Sequence, residues 1–256
     1  MNDDDPFESP KLLVESARSD IQDFSQSCDS FLACCYGVPV EKYDKVNKQN
    51  VIKYQVKQRI PGKLRVKASN IINNLRHALD QAVNCAAIEL GAIKRNNYFP
   101  FASNIDEFEK AIKDKCRTVH PALLPLIRSF KPYKGGDDLL YSLTRLAGAN
   151  KHQVMLRVDM NLTHFIMNDL ISQFTGPGSC GFLDWDHKRQ EIEIARIQHG
   201  GLIKCNPRGR FPLFISFGEE SVDSSAPSSV FLGTILPKVE IVINAIEAET
   251  IKIKSL

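Results

Sequence analysis

The chain lacks most of the short motifs that would declare an activity. Its seven cysteines (Cys28, Cys34, Cys35, Cys85, Cys116, Cys180 and Cys205) form no C-x-x-C pair and no Cys–His group at zinc spacing. Reduced, partly buried thiols are the reading of such a scatter. There is no H-E-x-x-H, no Ser-His-Asp elbow, and no pair of carboxylates with a site around them. Gly135-Gly136 lacks the Gly-Lys-Ser/Thr ending and the preceding strand that a phosphate cradle needs. No cofactor and no metal are therefore expected. No window approaches ~18 uninterrupted apolar residues, so no membrane span is expected. The N-terminal MNDDDPFESP is acidic and has no apolar core, unlike a signal peptide. Together these point to a cytoplasmic chain. Charge of one sign is not in large excess either: +3 over 256 residues permits a nucleic-acid partner without arguing for one.

What is present is one long amphipathic stretch, Ser69 to Leu90. On a helical wheel Ile71, Ile72, Leu75, Ala78, Leu79, Ala82, Val83 and Ala86 fall on one side, and Asn70, Asn73, Arg76, His77, Asp80, Gln81 and Asn84 on the other. A solvent face is usually Lys and Glu. Asn, His and Asp are poor helix formers that hydrogen-bond locally, so this face has a task beyond solubility.

Around that stretch the periodicity predicts an α+β chain: an N-terminal helical bundle, a small antiparallel β-sheet region and a closing C-terminal helix. Residues 1–8 are expected to be disordered. Ser9-Pro10 opens a helix that runs to about Tyr36. The bundle takes in 9–152 and carries a short β insertion at 51–67, where Val51–Lys57 and Leu64–Val66 alternate about a Pro61-Gly62 turn. Lys53, Lys57, Arg59, Lys63, Arg65 and Lys67 make this the densest basic run of the chain. Further helices are expected over 106–116, from Pro121, and from an Asp137 cap to Gly148. The region 153–220 alternates as strands, with 154–158, 162–167, 181–185, 191–197, 202–205 and 211–217 the segments. The helix 229–250 is assigned because Leu232, Ile235, Leu236, Val239, Val242, Ile243 and Ile246 step by three and four, despite the β propensity of VEIVINAI and a kinking Pro237. Asp184-Trp185-Asp186-His187-Lys188 reads as a hairpin turn before a metal corner. Trp185 there could stack a base or pack at the rim of the core, and Asn206–Arg210 is a basic loop that could touch phosphate.

The ordered segments Asn74-Leu75-Arg76-His77-Ala78-Leu79-Asp80, Phe99-Pro100, Lys131-Pro132-Tyr133 and Asn150-Lys151-His152 resemble a broad group of uncharacterised bacterial proteins. These share an "NLR-x-ALDH" helix, an "FP" loop, a "QPY" segment and an "N-x-DKH" helix end. The likeness covers roughly Val51 to Leu156. In the usual form of the helix, Arg and His are separated by four residues, which is similar to the Arg/His motif of HEPN-type ribonucleases, helical bundles that cleave RNA without metal. Here Arg76 matches the Arg, while Gln81 stands at the His position, and Ala149-Asn150 replaces an Asp before Lys-His. The resemblance implies a metal-independent RNA-cleaving or RNA-binding protein. Its catalytic candidates are Arg76, His77, Asp80 and His152, with Asn73 and Lys151 binding. Imidazole would move protons, and Arg and Lys would bear the phosphorane charge. The other reading is a non-enzymatic interaction protein, in which the same polar face knits the bundle and Arg76–Asp80 is a structural ion pair. RNA as partner and a homodimer as assembly are both open.

Overall fold

The computed structural model describes residues 5–93, 96–152, 156–162, 170–181, 185–186, 189–223 and 225–256, and for 149–152 the backbone alone. The protein is α+β. It divides into two compact units, the first formed by 1–25, 62–157 and 217–256, the second by 26–61 and 158–216.

The first unit is helical. It holds most of α1 (Glu8–Ala33), then α2 (Gly62–Glu89), α3 (Ile105–Lys115), a 3-10 turn (Pro121–Leu123) leading into α4 (Leu124–Ser129), α5 (Asp138–His152) and α6 (Ser228–Lys254). Helix α2 is the axis: Leu64, Ala68, Ile71, Ile72, Leu75, Ala78, Leu79, Ala82, Val83, Ala86 and Ala87 are buried along one side, and α5 and α6 pack on it. From α6 the buried line is Leu232, Ile235, Leu236, Val239, Val242, Ile243 and Ile246. Pro237 interrupts no part of that helix. The carbonyl it leaves without a donor is that of Gly233, and both residues are exposed, so that carbonyl is open to solvent. By length and apolar content α6 could cross a membrane. Its buried line against α2 is also how the core helix of a bundle behaves.

Local chemistry sets the helix ends. Asn104 caps α3 by accepting the Glu107 N–H at 2.9 Å. Asp137 accepts the Leu140 N–H at 3.0 Å at the head of α5 and pairs with Lys238 of α6 at 2.6 Å. The turn before it needs glycine, because a Cβ on Gly136 would stand 2.5 Å from the Lys131 carbonyl oxygen.

The second unit is antiparallel sheet. Strands β1 (Gly37–Asp44), β2 (Gln49–Val56), β5 (Gly178–Cys180) and β6 (Glu191–Ile197) form one sheet in the order β1-β2-β6-β5. Two ribbons accompany it: β3 (Val158–Leu162) with β8 (Leu213–Phe217), and β4 (Ile171–Thr175) with β7 (Leu202–Cys205). Ile52, Tyr54, Leu170, Ile192, Ile194, Ala195 and Ile197 make its core. The alternation of EIEIARI is real, yet its charged face is buried too. Glu191 is 3% exposed and pairs with Lys53 at 2.9 Å and Lys42 at 3.7 Å. Glu193 takes Arg196, which also reaches Asp44 at 3.3 Å.

Several expectations change. Residues 5–8 are ordered: Phe7 is buried, and Asp5 accepts its N–H at 2.8 Å and pairs with Lys11 at 3.1 Å. The β insertion ends early. Helix α2 begins at Gly62, because Leu64 and Ala68 extend the same buried face while Val66 is 45% exposed. The hairpin partner of β2 is β1, unforeseen in the sequence, and β2 then pairs with β6. Pro39 sits in β1 without penalty because that strand is the sheet edge. Finally, α1 closes at Ala33 and α5 continues past Gly148 to His152. The segments 153–155, 163–169 and 182–184, with His187 and Lys188, lie outside the described residues.

Candidate functional site

The polar side of α2 turns partly inward, and its centre is Arg76. The guanidinium is ion-paired with Asp80 one turn on, with side-chain exposures of 13% and 16%. The contact lies off the line of a directed hydrogen bond. The same guanidinium stands 4.3 Å over the ring of Phe101. Asp80 Oδ1 accepts the backbone N–H of Phe99 at 2.9 Å. From α3, Lys115 Nζ donates to the Phe101 carbonyl at 2.9 Å, and the Lys115 carbonyl accepts the Tyr98 N–H, also at 2.9 Å.

Three charged side chains on two helices therefore grip one loop, Tyr98 to Phe101. The loop is held on its other side by aromatic packing. Phe99 contacts Phe101 at 4.8 Å and Phe130 at 6.0 Å between ring centroids, and Ala102 N–H bonds to the Pro132 carbonyl at 3.3 Å. Burial lowers the Lys115 pKa, and the neighbouring Arg76 lowers it further against the opposing pull of Asp80. Next to it, burial pushes the Cys116 thiol up to about 12.

Of the other expected site residues, His77 is exposed and Asn73 half-buried. The side chains of Lys151 and His152 lie outside the described residues. Gln81, at the position where the resemblance expects His, accepts the Ser9 hydroxyl of α1 at 2.7 Å. Lys115 was not among the expected residues. Its signal was there, a lysine at helical spacing with Phe108, Ala111 and Ile112 on an otherwise apolar face.

Among the described residues, two open grooves lie elsewhere on this unit. One, of about 510 Å³, is lined by Lys134, Asp138, Tyr141, Arg145, Glu219 and Glu220 among others. The second, of about 220 Å³, lies between Lys11, Glu15, Glu240 and Asn244. Neither includes Arg76, Asp80 or Lys115. Among the described residues no three His, Cys, Asp or Glu are grouped to hold a metal ion. In the second unit Trp185 donates its indole N–H to the Met160 carbonyl at 2.8 Å and packs against the buried cluster of Cys35, Val56 and Met160. All seven cysteines are free. No family model, no curated protein and no solved structure matches this chain.

Proposed function

We propose that this chain is a cytoplasmic bacterial protein that works by binding a partner, with the polar face of α2 serving as a structural clasp. One observation carries the reading: Arg76, Asp80 and Lys115 direct their polar groups at each other and at the Phe99–Phe101 backbone. A phosphorane-stabilising arginine must be able to reach a scissile phosphate. This one is held between a carboxylate and an aromatic ring, and the nearest imidazole along the helix, His77, faces solvent. The excess of positive charge at Arg76 and Lys115 favours the second reading, a HEPN-like metal-independent RNA-cleaving protein.

Arg76→Ala separates the two. A clasp predicts a melting temperature several degrees lower, since Asp80 loses its cation in a half-dry setting, with any RNA turnover in EDTA unchanged. RNA cleavage by the parent chain that disappears in a folded Arg76→Ala variant would overturn the binding reading in favour of catalysis.

A further inference from the structure

At one corner of its sheet the second unit gathers cations that have no carboxylate partner among the described residues, one of them over an aromatic ring. The end of β1 is bridged to a loop: Gly37 N–H donates to the Gly209 carbonyl at 2.8 Å, and Gly209 N–H to the Gly37 carbonyl at 2.9 Å. On its other side Gly37 pairs with Val56. Close approach makes both glycines necessary. A Cβ on Gly37 would lie 2.3 Å from the Phe211 ring, and one on Gly209 2.6 Å from Tyr54 and Leu170. Gly37, Gly209 and Val56 therefore face the core, and Val56 is 3% exposed.

The chain neighbours of these three residues bring further side chains to the same corner. They are Tyr36, Arg208, Arg210 and Lys57, with Arg59 two residues on. All four cations are exposed and Tyr36 is half-buried. Arg208 lies over the Tyr36 ring at 5.0 Å, and Gln58 accepts the Tyr36 backbone N–H at 3.5 Å.

Pairing distinguishes this corner from the rest of the sheet. Lys42, Lys53 and Arg196 are neutralised by Glu191, Glu193 and Asp44, and Arg189 faces Asp186. Lys57, Arg59, Arg208 and Arg210 have no carboxylate within ion-pair distance among the described residues. We infer that this corner is a binding surface for single-stranded nucleic acid, with the cations tracking phosphates and the Tyr36–Arg208 pair offering planar groups to a base. An acidic peptide fits less well, because the Tyr36–Arg208 pair offers planar groups suited to stacking on a base. The inference goes beyond the reading above and uses none of the residues of the α2 clasp.

The test is fluorescence anisotropy of the full chain with a labelled oligouridine of about a dozen nucleotides, titrated over a series of salt concentrations. In the Arg208→Ala/Arg210→Ala double variant the affinity is expected to fall about tenfold or more. The slope of log K against log salt should become shallower by about 1.4, that is roughly 0.7 for each single-strand phosphate that no longer meets a cation. Tyr36→Leu should weaken binding and leave that slope unchanged. Unaltered affinity and slope in the double variant overturn the proposal. Polyglutamate competing as well as unlabelled oligouridine also overturns it, in favour of a general acidic partner. Either failure leaves the Arg76 result untouched, whereas EDTA-resistant RNA cleavage that vanishes with Arg76 would sink the non-catalytic reading and not this surface.

Discussion

Asp80 and Phe99, nineteen residues apart, are joined by a 2.9 Å hydrogen bond from the loop backbone to the helix carboxylate. The same carboxylate faces Arg76, so one side chain both balances a half-buried cation and fixes the entry of the FP loop. Asp80→Ala removes both at once, leaving an unmatched guanidinium and an unpaired N–H. The expected loss is about 2–3 kcal/mol of unfolding free energy by urea titration. Asp80→Asn should lose less, since an amide oxygen can still accept the Phe99 N–H. Equal losses in the two variants would show that the hydrogen bond contributes nothing.

Arg76 and Phe101 form the second half of the clasp. Their stacked contact, with the ring 5% exposed, is removed on one side by Arg76→Met and on the other by Phe101→Leu. A double-mutant cycle on these substitutions is expected to give a coupling of about 1 kcal/mol. A coupling near zero would mean that the guanidinium owes its place to Asp80 alone.

Much of this was legible in the chain, for reasons that differ by element. The buried faces of α2 and α6 follow from steps of three and four, which Leu75, Leu79 and Val83 or Val239, Val242 and Ile246 display over many turns. The α+β order follows from the change of period after α5. Strand β1 was hidden because its edge position lets it carry Pro39 and a mostly polar tail, leaving no periodic signal. The first turns of α2 were hidden because Leu64-Arg65-Val66 satisfies a two-residue period as well as a helical one. In the candidate site, the unusual Asn, Arg and Asp face was readable. Its target was not, because Asp80 meets Phe99 and Lys115 meets Phe101 only through the tertiary path of a loop.

Lys115 makes the stability of the helical unit depend on pH in a defined sense. Burial and Arg76 hold its folded pKa below the ordinary 10.5. Between the depressed value and the ordinary one, the unfolded chain binds more protons than the folded chain, so stability rises with pH there. Below the depressed value the full penalty of the buried ammonium remains. Lys115→Met removes this titration. The stability of the parent relative to the variant is therefore expected to grow as the pH rises through the alkaline range toward the ordinary 10.5. A gap that stays constant across that range would refute the shifted lysine.

Thiol reactivity should sort the cysteines by burial. Cys34 is exposed, whereas burial raises Cys35 to about 11 and Cys116 to about 12. The thiolate is the reacting species, so pulsed alkylation of the native chain should modify Cys34 first and Cys35 and Cys116 last. Peptide mass mapping reads the order. Early labelling of Cys116 would mean that the FP loop, whose Tyr98 carbonyl lies 3.6 Å from that sulfur, opens readily.

Tyr54 connects the sheet core to the basic loop. Its ring is fully buried, and its hydroxyl lies 2.6 Å from the Leu170 carbonyl and 2.7 Å from the Asn206 carbonyl. Leu170 also accepts the Asn206 N–H at 2.8 Å, so its carbonyl keeps a donor when the hydroxyl is removed. The Asn206 carbonyl, two residues before Arg208, is then without the phenol. Burial holds the phenol well above the ordinary tyrosine range, so it stays a neutral donor at any working pH. Tyr54→Phe retains the edge-to-face packing on Phe211, 5.5 Å away, and isolates the hydrogen bond. The expected cost is about 1–2 kcal/mol. Hydrogen exchange should localise it: the Gly209 amide, bonded to Gly37, is expected to exchange faster in the variant, while the amides of β2 paired to β6 keep their protection. Uniform acceleration over the whole sheet would instead mean that the hydroxyl supports the core at large and not the placement of the arginine loop.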